Sequence, residues 1–181
     1  MSNPITNAGP DFRLPRAERW FAPRAVADGG GGTIIAAADI PGLPDRVFRA
    51  LTTSEVEKWW GADLYRLEGY TAELKVCGQW SVTVRIASGD VAHHWGEFCE
   101  IDTPRKLIMT WRGDTHPLLG ERETTTTYRL EPISNGTRLT VRCEGFLGRP
   151  EAAYGNAENW ELVLGWLAAY RQSQERKEGS S

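Results

Sequence analysis

Residues 156–172, NAENWELVLGWLAAYRQ, decide the fold more than any other stretch of the chain. Their apolar side chains recur at the spacing of one helix face: Trp160, Val163, Leu164, Leu167 and Tyr170. A stripe of this width is typical of a helix that lies against a sheet. We expect Gly165, inside the stretch, to mark a close backbone contact, because glycine costs a helix about 1 kcal/mol relative to alanine.

Strand patterns fill most of the chain ahead of this helix. Apolar and polar residues alternate with a period of two, which predicts strands with one buried and one exposed face. The connections are short, and Asn135-Gly136 is a typical hairpin turn, so neighbouring strands should be antiparallel. The alternation is clearest in residues 79–86, 107–111 and 124–130.

The order of the elements predicts the fold class. Thr33 begins a first strand, TIIAAADI, and two short helices follow, one opening at Pro44 and one ending at Trp59-Trp60-Gly61. About six strands and the long helix complete the order, with strands and helices segregated rather than alternating. The sequence therefore predicts an α+β domain with an antiparallel sheet and a long C-terminal helix.

The chain of 181 residues divides into three parts. Residues 1–32, rich in arginine and proline and ending in four glycines, are predicted to be a partly flexible N-terminal extension. Residues 33–171 are predicted to form the α+β domain. Residues 172–181 are a charged tail that we expect to fray from the helix end.

Composition excludes several partners and locations. The formal net charge of −3 comes from interspersed acids and bases, so no footprint for nucleic acid or anionic lipid is present. No stretch approaches the roughly 18 consecutive apolar residues of a membrane span. The first twenty residues carry prolines and charges where a signal peptide needs an apolar run. These features predict a cytoplasmic protein without a membrane span.

The three cysteines predict free thiols. Cys77, Cys99 and Cys143 are odd in number, lie far apart and form no C-x-x-C pair. This pattern argues against a disulfide framework and against a thiolate metal site, and it favours a reducing compartment. The sequence leaves monomer and homodimer open.

Several stretches of the chain form a recognisable set of motifs. They are VFRALT, EKWWG, CGQW, GTRLTV, NWELVLGWLAAY and, most specifically, the EI-x-x-P-R-x-L-x-x-TW pattern of residues 100–111. On these motifs the chain, from Thr33 to Tyr170, resembles the activator of heat-shock-protein-ninety ATPase homologue family, within the START-like, or SRPBCC, superfamily. Two departures are Cys77-Gly78, where a glycine pair is usual, and Asn159-Trp160, where Gly-Trp is commoner. The resemblance implies a helix-grip fold, in which a curved antiparallel sheet wraps around the C-terminal helix, with a hydrophobic ligand pocket.

Catalytic and metal-binding motifs are scarce. His93, His94 and His116 lack metal-ligand spacing, so no metal is predicted, and neighbouring His93 and His94 point to opposite faces of a strand. We find no nucleophile elbow and no phosphate-binding loop, and no cofactor is predicted. Four strand carboxylates could act as a general acid or base if they faced a cavity: Glu97, Glu100, Glu123 and Glu144.

Aromatic residues form the candidate ligand site. Several fall on the predicted inward faces, where they could stack on a planar or lipid-like ligand while Thr126 and the Tyr128 hydroxyl orient it. The same rings could instead fill the core and leave no cavity. The full candidate set is Trp59, Trp60, Trp80, Val82, Val84, His94, Met109, Trp111, Thr126, Tyr128, Trp160 and Leu164.

Three functions remain open from the sequence. The first is a binding protein for a small hydrophobic or aromatic molecule. The second, implied by the family name, is a co-chaperone module that stimulates a chaperone ATPase and acts in a stress response. The third is a cyclase- or hydrolase-type enzyme that uses a pocket carboxylate or His94 as a base on an aromatic substrate.

Overall fold

The computed structural model describes residues 20–86, 88–114, 119–120 and 122–180. His116 lies outside the described residues. The elements, in chain order, are β1 (Arg24–Asp28), β2 (Thr33–Ile40), α1 (Pro44–Thr52), a 3-10 helix (Ser54–Lys58), β3 (Tyr65–Ala72), β4 (Gln79–Ile86), β5 (Val91–Asp102), β6 (Lys106–Gly113), β7 (Thr124–Ile133), β8 (Gly136–Glu144) and α2 (Pro150–Glu178).

All eight strands join one antiparallel sheet in the order β1-β2-β8-β7-β6-β5-β4-β3. The predicted α+β class, the antiparallel sheet and the long C-terminal helix are confirmed. Strand β2 returns to pair with β8, so the first and last strands of the predicted order are neighbours. Strands β1 and β2, from the start of the chain, therefore lie at the edge of the sheet against which the C-terminal helix α2 packs.

Strand β1 was not predicted, because it lies inside the stretch assigned to the N-terminal extension. Arg24 pairs with Ala37 and Asp28 with Thr33, so β1 and β2 form a hairpin. The Asp28 carboxylate accepts hydrogen bonds from the backbone N–H groups of Gly30 and Gly31, at 3.0 and 2.9 Å. The glycine run is therefore the turn of this hairpin.

Helix α2 begins at Pro150, whose ring suits a first helical turn, and buries the predicted stripe. Trp160, Val163, Leu164 and Leu167 are buried, whereas Tyr170 is half-buried. The helix continues to Glu178, through the charged segment that was expected to fray. Its last turns are joined by ion pairs of Arg171 with Glu175 and of Arg46 in α1 with Glu178.

The backbone of α2 lies closest to β1 and β2, so the sheet diverges from the helix toward β3–β6. A Cβ atom at Gly165 would lie 4.0 Å from the side chain of Pro23, just before β1, and would meet no backbone atom of a neighbouring described element, so the close backbone contact expected at Gly165 is not found. Side chains rather than close backbone contacts must bridge the remaining gap. This divergence creates room for a cavity.

The two short helices place a pair of tryptophans beside the gap. Thr53 caps the 3-10 helix, since its side chain accepts a hydrogen bond from the Glu55 N–H. Just after this helix, the Trp59 indole is buried and donates to the Ala50 carbonyl at 3.0 Å. Trp59 is thereby fixed in the core, and its neighbour Trp60 is left at the edge of the gap.

Candidate functional site

An inner cavity of about 330 Å³ lies between the sheet and the first half of α2. Ile86, which is 44% exposed, marks its solvent side. The lining is Trp60, Tyr65, Leu67, Val84, Ile86, Ala92, His94, Trp111, Leu119, Thr124, Thr126, Cys143, Phe146, Asn156, Asn159 and Trp160. This volume is at the lower end of the range for small-molecule sites.

Three indole rings form the aromatic wall of this cavity. The rings of Trp60 and Trp111 are stacked, with centroids 6.0 Å apart and an interplanar angle of 23°. Trp160 meets Trp60 edge-on at 5.8 Å, and the His94 imidazole meets Trp111 edge-on at 5.1 Å. Such geometries are favourable for aromatic pairs, so the wall holds its shape without a ligand.

Trp80 supports this wall from behind. Its ring centroid lies 4.6 Å from that of Trp111, and its indole N–H donates to the Thr110 carbonyl at 3.1 Å. The indole reaches Thr110 in β6 by crossing β5 at Gly96, where a Cβ atom would lie 2.7 Å from the indole nitrogen. Glycine at residue 96 therefore permits the close approach.

The polar groups of the lining are mostly bonded to one another. The Trp60 indole N–H donates to the Tyr65 hydroxyl at 3.0 Å, and the Thr126 hydroxyl and Cys143 thiol are 3.5 Å apart. Burial raises the pKa of Cys143 to about 11. Burial also raises the pKa of Tyr65, while the hydrogen bonds of Tyr65 with Trp60 and Asn159 act in the opposite direction. Both groups are neutral at physiological pH, so the cavity wall carries no charge from them.

Six of the twelve predicted site residues line the cavity: Trp60, Val84, His94, Trp111, Thr126 and Trp160. The other six lie in the core beside it: Trp59, Trp80, Val82, Met109, Tyr128 and Leu164. Whether a predicted residue lines the cavity depends on how far along its strand or helix it lies. Val84 lines the cavity and Val82 does not, and likewise Trp160 does and Leu164 does not, because the cavity lies at one end of the domain.

Ten lining residues were not predicted from the sequence. Asn156 and Asn159 lie in the predicted helix but are polar, so they fall outside its apolar stripe. Tyr65 and Leu67 alternate with polar residues at the start of β3, and this alternation was the signal that could have identified them. Contact of any of these residues with a ligand remains a prediction.

The four strand carboxylates do not line the inner cavity. Glu97 and Glu123 instead line a groove of about 900 Å³ on the outer face of the sheet, together with Trp95. Glu100 pairs with Lys106, and Glu144 pairs with Arg142. Of the candidate bases named by the enzyme hypothesis, His94 is therefore the one found among the described residues that line the inner cavity.

Within the described residues, no group of three or more His, Cys, Asp or Glu side chains could hold a metal ion. Neither of the described α-helices is long and apolar enough to cross a membrane. All three thiols are free, with Cys77 and Cys99 exposed and Cys143 buried.

The sheet, the long helix packed against it and the cavity between them define a START-like fold of the helix-grip class. A family model described as "Activator of Hsp90 ATPase homolog 1-like protein" matches residues 43–172. The chain belongs to this family, because the match covers more than half of its length. No curated protein matches the chain.

Solved structures of similar fold come from several bacteria. A protein from Chromobacterium violaceum is 24% identical, over 77% of this chain and 96% of its own, with a TM-score of 0.66. One from Arthrobacter aurescens is 21% identical over 82% and 91%, with a TM-score of 0.71. A Staphylococcus aureus protein of unknown function is 13% identical over 85% and 98%, with a TM-score of 0.63. At these identities, the likeness shows the fold alone.

Proposed function

We propose that this protein binds a small hydrophobic or aromatic molecule in its inner cavity. The observation that carries the proposal is the three-indole wall of Trp60, Trp111 and Trp160 around a space of about 330 Å³. Apolar surface removed from water contributes roughly 25 cal/mol per Å², so a ligand enclosed by these rings gains most of its affinity from burial.

The size of the cavity favours a compact ligand. Small-molecule sites range from roughly 300 to 1,000 Å³, and this one lies near the lower limit. A ligand of one or two fused rings fits the volume better than a long acyl chain does. Trp60 and Trp111 both line the cavity, and indole rings pack favourably against a planar aromatic molecule.

A titration with bicyclic aromatic compounds tests the proposal. Binding should be saturable and should quench or shift tryptophan fluorescence, with calorimetry as an independent measurement. Trp111→Leu keeps an apolar side chain but removes the stacking plane, so it should weaken aromatic ligands by about 0.5 to 1.5 kcal/mol beyond the area lost. Aliphatic ligands should be less affected.

Trp95 provides the matched control. It lies on the outer groove, 40% exposed, so Trp95→Leu removes one indole without touching the inner cavity. This variant should bind as the parent does. Absence of saturable binding across a broad apolar panel would refute the carrier proposal, as would an equal loss in the Trp95 and Trp111 variants. Native mass spectrometry of freshly purified protein would identify a co-purifying molecule directly.

The second candidate is a co-chaperone module, and the family description is the observation that favours it. The outer surface offers exposed apolar side chains for a protein partner: Leu74, Val76 and Trp95. Stimulation of a chaperone ATPase by the parent, lost in Trp95→Leu and kept in Trp111→Leu, would support this function. A carrier would show the opposite pattern, with ligand binding weakened in Trp111→Leu and unchanged in Trp95→Leu.

A further inference from the structure

The inner cavity has no charged group among the described residues that line it. The lining offers hydroxyl, amide, imidazole and thiol groups, but no Lys, Arg, Asp or Glu. Burying an ionised carboxylate without a cationic partner carries a large desolvation penalty. A fatty-acid or other organic anion would therefore find no Lys or Arg to pair with among the described lining residues.

One hydroxyl of the lining is available for a ligand. Thr124 is buried, and its hydroxyl makes no hydrogen bond with any described residue. The neighbouring polar groups are engaged differently, since Thr126 lies at 3.5 Å from the Cys143 thiol and Tyr65 accepts from Trp60. The hydroxyl oxygen itself is not fully buried, so a ligand in the cavity can reach it and form a hydrogen bond.

Thr124 stands directly beside the stacking surface. Trp111 in β6 and Thr124 in β7 are register partners, so their side chains lie on the same face of the sheet. Such partners have Cβ atoms roughly 4.5 to 5.5 Å apart. A ring lying against the Trp111 indole therefore brings a substituent on its edge within reach of the Thr124 hydroxyl.

From this juxtaposition we infer that the ligand is an uncharged aromatic compound with one hydrogen-bonding substituent, such as a phenol or an aryl amide, and that Thr124 is its specificity-determining residue. The inference rests on the proposed function, because it names the ligand class of the same cavity. It adds discrimination: the site accepts neutral rings and rejects the carboxylates that share their skeleton.

Three probes of one skeleton test the inference: naphthalene, 2-naphthol and 2-naphthoate. At neutral pH, 2-naphthol is uncharged and 2-naphthoate is an anion. By calorimetry, 2-naphthol should bind at least about tenfold more tightly than 2-naphthoate, because the described lining offers the anion no Lys or Arg. It should also bind about three- to tenfold more tightly than naphthalene, the worth of one hydrogen bond.

Variants at two threonines locate the effect. Thr124→Val keeps the shape and removes the hydroxyl, so it should abolish the advantage of 2-naphthol over naphthalene, and Thr124→Ser should keep it. Thr127→Val is the matched control, because Thr127 lies on the same strand, is half-buried and does not line the cavity. Melting curves of all variants confirm that each is folded.

The outcomes separate this inference from the function on which it rests. Saturable binding of naphthalene with no gain for 2-naphthol, or no effect of Thr124→Val, overturns the inference and leaves the proposed function standing. Binding of 2-naphthoate as tight as that of 2-naphthol also overturns it. If none of the three probes binds, the proposed function fails, and the inference fails with it.

Discussion

Gly96→Ala should destabilise the domain, because a Cβ atom at residue 96 has no space. It would lie 1.9 Å from the Thr110 carbonyl oxygen and 2.7 Å from the Trp80 indole nitrogen. Overpacking of this kind costs typically 1 to 3 kcal/mol, and loss of the hydrogen bond from Trp80 to Thr110 adds about 1 kcal/mol. We expect a loss of about 2 to 4 kcal/mol in the free energy of unfolding, measured by urea denaturation.

Gly155→Ala is the control, since it makes the same chemical change with the opposite expected sign. Gly155 lies inside α2, is exposed and has no heavy atom within 4 Å of a built Cβ. Alanine should stabilise this helix by about 0.5 to 1 kcal/mol. If Gly96→Ala proves as stable as the parent, or if both variants shift the same way, the crossing of β5 by Trp80 is not the constraint described above.

Three further predictions concern the helix, the thiols and alkaline pH. Trp160→Ala should cost roughly 3 to 5 kcal/mol in a denaturant titration, whereas Leu162→Ala, at a residue 48% exposed on the same helix, should change little; equal losses would argue against the docking of α2. Thiol labelling of the denatured, unreduced protein should modify all three cysteines, and labelling of the native protein should be slow at Cys143, whose burial raises the thiol pKa to about 11; fewer than three modified thiols after denaturation would contradict this. Burial raises the pKa of Tyr128 well above its usual value, so the unfolded chain ionises first and the free energy of unfolding should fall as the pH rises above about 10. Tyr128→Phe should lessen that fall in pH-dependent melts, and an unchanged slope would refute it.

The fold could be predicted from local patterns because each element carries its own. Alternation marks β4, β6 and β7, and the stripe from Trp160 to Tyr170 marks α2. Strand β1 could not be predicted in the same way. Its five residues, RAVAD, lie between a proline and four glycines, and they become a strand by pairing with β2 and packing against α2. Tertiary pairing, rather than propensity, makes this segment a strand.

Sequence patterns predicted which side chains face the interior, but not which of these side chains line the cavity. Alternation identifies Val82 and Val84, or Met109 and Trp111, as inward-facing, yet only the second member of each pair lines the cavity. The difference depends on where α2 diverges from the sheet, which is a long-range property of the packed domain. Periodicity along one strand carries no information about it.

The tryptophan cluster has a spectroscopic consequence. Trp59, Trp60, Trp80, Trp111 and Trp160 form a connected set with neighbouring ring centroids 4.6 to 6.0 Å apart. At such spacings the transition dipoles of the indoles couple, and their fixed relative tilts give the coupled bands a definite handedness. The native protein should therefore show intense near-ultraviolet circular dichroism, and a molecule entering beside Trp60 would alter the band shape of the whole set. The fold thus contains a label-free optical reporter of its own cavity.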